Sequence, residues 1–210
     1  IRDTARRMFN EEGMHAVSVR QIARELDISP GNLSYHYPSK GSLIADLLAD
    51  LHDANTRAAT LAVDAVMTLP WIYQAIVASF RNDYEYRGIA GSYADAVSAH
   101  RESLELEEEL YRGRRERILA TLDLAVDHGV LRQEILEDAD EIAWSLVFTG
   151  RFWLGDARLR GAEVPAEELI ARYAFRALSR LAGYLTKDSR RDYQALRERL
   201  RWPPDAQPNS

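Results

Sequence analysis

Five histidines, at positions 15, 36, 52, 100 and 128, are the first candidates for acid–base or metal chemistry. None stands at the spacing of a metal-ligand pair, and no glycine-rich phosphate loop or nucleophile elbow accompanies them. Cysteine is absent, which removes thiolate ligands, thiol nucleophiles and disulfides together. An enzyme, a metal site and a cofactor are therefore not expected. The densest donor chemistry lies in "SPGNLSYHYPSKGSL", Ser29 to Leu43, where Tyr35, His36 and Tyr37 are consecutive. Successive helical residues point about 100° apart, so three adjacent rings cannot all enter one core. At least one must face outward.

The elements that hold this segment read as helices. Ser29 is a possible N-cap and Pro30 fits the first helical position. Upstream, Ile1, Ala5, Met8 and Phe9 form a 3.6-residue stripe that Gly13 ends. Ser18 and Gln21 have capping-box spacing ahead of Ile22, Ala23 and Leu26. Ser39 can cap a long helix to about Val63, with Leu43, Leu47, Leu48 and Leu51 as its seam. Further helices are expected at about 70–87, 92–99, 103–128, 138–158, 165–185 and 188–200, punctuated by Gly88, Gly91, Gly129, Gly161 and Pro165. The fold class is all-α: residues 1–50 as one unit, 51–201 as a larger helical domain, and a Pro-rich flexible tail over 202–210.

Two helices joined by "LDIS", the second short and capped, have the spacing of a helix-turn-helix. Ala23 is small enough for a close crossing, and Asp27 occupies the turn where positive φ is often needed. Ile28 and Leu33 should join Ile22 and Leu26 in a small core with Val17 and Val19. These first fifty residues resemble the DNA-binding domain of the tetracycline-repressor (TetR) family, on "AxxMFxxxGxxxVSVRQIARELDISPGNLSYHYPSKGSLIADLL". The resemblance implies a three-helix DNA-binding domain followed by a helical regulatory and dimerisation domain. It implies that Ser18 caps the second helix and donates to a phosphate, and that Arg20 reaches a phosphate or base. Gly31, Asn32 and Ser34 would face the major groove, and Tyr35 and His36 the phosphates. Lys40 would add its charge to a helix N-terminal phosphate seat. Tyr37 would turn inward beneath the turn. Many members of the family carry an aromatic where Ser34 stands, so operator preference does not carry over.

Charge counts modestly against nucleic-acid binding. The chain has a formal net charge of −6, with 46% hydrophobic and 29% charged residues. Over residues 1–45, six basic residues meet five acidic ones, a net of +1. The sequence opens at Ile1 rather than Met, so a preceding stretch, with room for a basic arm, is expected. No apolar run approaches the ~20 residues that span a bilayer, and no signal peptide opens the chain, so a cytoplasmic protein without membrane contact is expected.

One reading helix covers few base pairs, so a homodimer on a palindromic double-stranded operator is expected. In "EIAWSLVFTGRFWLGDARL", Ile142, Leu146, Thr149 and Trp153 share a face, with Trp144, Phe148 and Phe152 on adjoining ones. "EELIARYAFRALSRLAGYL" sets Leu169, Tyr173, Ala177, Arg180 and Tyr184 at similar spacing. Two such helices per subunit could form a four-helix interface, or the rings could all be intramolecular core. An apolar or aromatic small-molecule effector, contacted by Phe80, Tyr84, Trp144 and Phe148, would follow from the family's regulatory domain, and the regulator would be a repressor released by it. The alternative of another class is a helical interaction protein acting mainly through a protein partner.

Overall fold

The polypeptide builds its first helices from local signals. Ser18 accepts from the Gln21 amide while the Gln21 side chain accepts from the Ser18 amide, closing the expected capping box on α2 (Val19–Glu25). Before it, α1 (Arg2–Glu12) ends at Gly13 with φ 89°, its amide returning to Phe9. Asp27 adopts φ 52° in the turn, the only non-glycine residue with positive φ among those described. Ser29 then caps α3 (Pro30–His36) by accepting from Asn32 at 3.1 Å. Ser39 accepts from the Ser42 amide at 2.9 Å and so starts α4 (Lys40–Thr60).

The computed structural model describes residues 1–60, 67–160 and 164–200. The expected end of the fourth helix near Val63, the Gly161 break and the tail over 202–210 lie outside the described residues. Onward run α5 (Leu69–Glu85), α6 (Arg87–Ala90), α7 (Tyr93–Ser98), α8 (Arg101–Asp127), α9 (Ala139–Leu159), α10 (Ala166–Leu178) and α11 (Lys187–Leu200). The helix expected over 165–185 tightens to 3-10 geometry over Ser179–Tyr184. Ser179 Oγ donates to the Phe175 carbonyl, and the Tyr184 carbonyl accepts from the Arg132 amide at 2.7 Å, so the chain pairs with residues 131–132 instead of continuing. The expected helix over 70–87 likewise breaks at Tyr86, before α6.

Two apolar clusters result. Ala5, Phe9, Ile22, Leu33, Leu43 and Ile44 are fully buried in the N-terminal one. Leu26, Ile28 and Val19 pack on it only partly buried. The second centres on α5 and α10, with Leu69, Phe80, Trp153, Tyr173 and Leu178 among its members. The long α4 belongs to both, through Leu43 to Leu48 at one end and Leu51 at the other. The α10 face expected at a dimer interface is core instead: Tyr173 and Ala177 are buried there, because α10 packs along α5.

The clusters meet at α6. Gly88 lies so close to α1 that a Cβ would come within 2.3 Å of the Phe9 carbonyl. Asn10 locks the approach, accepting from the Gly88 amide and donating to the Glu85 carbonyl, each at 2.8 Å.

Candidate nucleic-acid interface and interhelical cavity

The helix-turn-helix presents one outward face. Leu33 is the buried residue of α3, which leaves Gly31, Asn32, Ser34, Tyr35 and His36 exposed. Tyr35 is 84% exposed, and its ring meets His36 edge-on at 5.3 Å. Such exposure costs a soluble domain apolar hydration unless the ring meets something else. Tyr37 turns the other way, half-buried on the N-terminal core, and donates to Asp46 Oδ2 at 3.0 Å. Arg20, in the first turn of α2, is exposed and carries no ion pair among the described residues. The α1 arginines differ: Arg2 pairs with Asp50 at 3.0 Å, and Arg7 with Glu11 and Glu25.

Two of the sequence-derived candidates are committed elsewhere. Ser18 Oγ donates to Gln21 Oε1 at 2.6 Å, so its proton serves the capping box rather than a neighbour outside the chain. Lys40 sits in the first turn of α4, but its ammonium folds inward, donating to the Met14 carbonyl at 2.5 Å and lying 5.7 Å from the Phe9 ring centre. Burial pushes its pKa below the ordinary lysine range. It clamps the turn after α1 to the start of α4. Nothing in the sequence separates this from a phosphate-seeking lysine, because the deciding carbonyl is 26 residues away.

The four residues expected around a ligand are not brought together. Phe80 lines a cavity of about 200 Å³ among α4, α5, α8, α9 and α10. Tyr84 is half-buried outside its walls, under the Arg87 guanidinium at 5.1 Å. Trp144 and Phe148 face away on α9, 54% and 50% exposed, and stack on each other with centres 5.4 Å apart. Phe152 extends the row at 4.9 Å from Phe148. The other α9 face, with Val147 and Trp153, is the buried one.

Within the cavity the apolar wall is Trp71, Ile72, Ile76, Phe80, Leu122 and Leu146. Its polar groups are the hydroxyls of Ser79 and Thr121 together with Asn55, Asp83, Arg114 and Arg117, none of them legible in the sequence because they come from three helices. Asp83 is buried, accepting from Asn55 Nδ2 at 3.1 Å and from Trp153 Nε1 at 3.0 Å. Burial pushes its carboxyl up to about 6 against those hydrogen bonds. Asn82 donates to Asn55 Oδ1 at 3.0 Å, so a ladder of amides ties α4 to α5. His52, beside Arg117, is pushed down to about 4 by burial and by the charges of Arg117 and Arg114. Among the described residues no helix is long and apolar enough to cross a membrane.

The family model for bacterial regulatory proteins of the tetR family matches residues 1–47. The regulator UidR of Escherichia coli K12, described as an HTH-type transcriptional regulator, is 41% identical over 58 residues, 27% of this chain and 30% of that protein. The chain spans about a third of the length of the curated relatives it matches. A TetR-family regulator from Marinobacter aquaeolei VT8 superposes with a TM-score of 0.81 at 20% identity, over 96% of this chain and 98% of that one. The SmeT–triclosan complex superposes with a TM-score of 0.65 at 18% identity, over 100% and 95%. At such identities the structural likeness speaks for the fold, a helix-turn-helix unit followed by a larger helical domain. The similar proteins are transcriptional regulators, not enzymes.

Proposed function

We propose that this chain, whose residues 1–47 match the model for bacterial regulatory proteins of the tetR family, is a cytoplasmic, homodimeric repressor of that family. It binds a palindromic DNA operator and is released by a small effector in the α4–α10 cavity. The observation that carries the DNA reading is the outward pair Tyr35–His36 beside Gly31, Asn32, Ser34 and Arg20 on one exposed face. Asn32 and Ser34 supply donors and acceptors for base edges, while Tyr35, His36 and Arg20 supply phosphate donors. Ser18 and Lys40 support this face from behind, through the cap and the clamp already described. Residues 1–50 form the reading unit, and residues from 51 the effector and dimer unit.

The cavity reading is supported by α4, whose first half packs in the N-terminal core while its Asn55 and Ala59 line the cavity. A ligand that wedges α4 from α5 would change the separation of two reading heads and shift the population away from the operator-bound form. Phe80 is the expected ligand contact that lines this space. A likeness to the SmeT–triclosan complex supports a small organic ligand in such a fold.

The test is salt-dependent binding to duplexes from the DNA upstream of the gene. Tyr35→Ala combined with His36→Ala should weaken binding at least about tenfold, since two phosphate donors are lost. Unchanged binding by the double variant defeats the interface. The near-neutral charge of the N-terminal unit favours one second reading, docking on a protein partner, and that reading predicts no salt-dependent duplex binding at all.

A further inference from the structure

The cavity contains more donors than acceptors. On α8 the other arginines meet acids: Arg101 pairs with Glu105, Arg112 with Glu108 and Arg115 with Asp140. Arg114 and Arg117, one turn apart on the cavity side, have no acidic partner among the described residues. Arg117 instead points Nη1 at His52 Nε2, 3.4 Å away. That contact leaves the proton of the neutral imidazole on Nδ1, and Nδ1 is buried with no hydrogen-bond partner.

The one carboxylate of the lining is meanwhile engaged. Each oxygen of Asp83 already takes a proton, one from Asn55 and one from Trp153, and the Asn55 oxygen takes one from Asn82. Two half-buried guanidinium groups side by side also repel, which lowers the pKa of Arg117 after burial has done so. Half-buried cations without a direct ion pair gain from a counter-charge, which a ligand carboxylate would supply, since Asp83 reaches Arg114 only through space. A fork of N–H donors is suited to a planar carboxylate. The remaining wall is apolar, and an apolar cavity of about 150 Å³ is known to hold one benzene ring.

We infer that the effector is a small organic carboxylate, with an apolar body about one ring wide against Phe80 and Trp71 and its carboxylate against Arg114 and Arg117. This deepens the effector reading and rests on it. A cationic amine is disfavoured, because two guanidinium groups face the cavity against a single carboxylate.

Matched probes separate the possibilities: phenylacetate, phenylacetamide and phenethylamine, with their cyclohexyl and naphthyl counterparts, titrated up to millimolar concentration. Tryptophan emission reports binding, since Trp71 lines the cavity and Trp153 stacks on Phe80 at 5.1 Å. The carboxylate of a set should bind at least about tenfold more tightly than its amide. Arg114→Gln and Arg117→Gln should each erase that preference by weakening the carboxylate at least about tenfold, with far-UV dichroism and the thermal midpoint showing that the variants are folded. If the amide or amine binds as tightly as the carboxylate, or the preference survives both variants, the inference is overturned and the effector site stands. If no member of any set binds, the effector site falls and the inference with it.

Discussion

Asp83, in the cavity wall, and His52, beside Arg117, carry opposite linkages. Asp83 in the folded protein titrates near 6 against an ordinary 3.8, so the folded state holds that proton more tightly than the unfolded chain does. Its contribution to stability is complete below pH 3.8 and is lost as pH rises through 6. His52 titrates near 4 against an ordinary 6.5, so its neutral form favours folding above pH 6.5, and that support is lost as pH falls toward 4. Between those limits the two compensate, and wild-type stability should change little from pH 7.5 to 5. His52→Gln should then gain stability over the same interval, by roughly 1 kcal/mol from Asp83 alone. Asp83→Asn should lose stability instead. Urea midpoints at the two pH values decide it; parallel profiles for the three proteins would show that the groups do not titrate as placed. Arg114 and Arg117 set both shifts' surroundings, Arg114 acting on each group, and Asp53 opposes them weakly at His52.

Among the elements, α6 has only four residues, yet it joins the two apolar clusters. Its Gly88 is needed for close approach, not for turning the chain. Gly88→Ala should cost about 1–3 kcal/mol, because the intruded atoms are backbone of Phe9 and Asn10 and cannot step aside like a flexible side chain. Thermal midpoint and far-UV dichroism together test this, with the midpoint falling and the helix content holding. A midpoint equal to wild type would mean that α1 and α6 are not packed this closely. The sequence marked Gly88 only as a break, since the helix it touches lies almost eighty residues earlier. The caps at Ser18, Ser29 and Ser39, the positive φ at Asp27 and the inward turn of Tyr37 were legible because each depends on residues within ten positions. What was not legible depends on distant partners: the inward fold of Lys40, the donors of the cavity, and the conversion of residues 179–184 to a tighter helix. On α9 both faces are aromatic, so periodicity located two stripes and could not say which one was core.

For the whole molecule, that undecided stripe is the surface on which the proposed dimer would assemble. Trp144, Phe148 and Phe152 recur every four residues, and Leu159, 89% exposed, continues the line. They span about 22 Å along one helix. An exposed apolar row of this kind is expected at a partner surface rather than in water. In a two-fold dimer the same stripe meets itself, so each ring acts twice per complex. Taking about 2 kcal/mol for a central aromatic, removing it from both copies costs about 4 kcal/mol, roughly a thousandfold in the dimer dissociation constant. Phe148→Arg adds like charges facing across the axis and should yield monomer at micromolar concentration, measured by sedimentation, with no loss of monomer helix content because the ring is outside the core. The same variant should hold a single half-site about as well as wild type while losing its advantage on the full palindrome, since only a dimer links two reading heads. A variant that sediments as a dimer would move the interface off α9, and with it the route by which a ligand beneath α9 could alter the spacing of the heads.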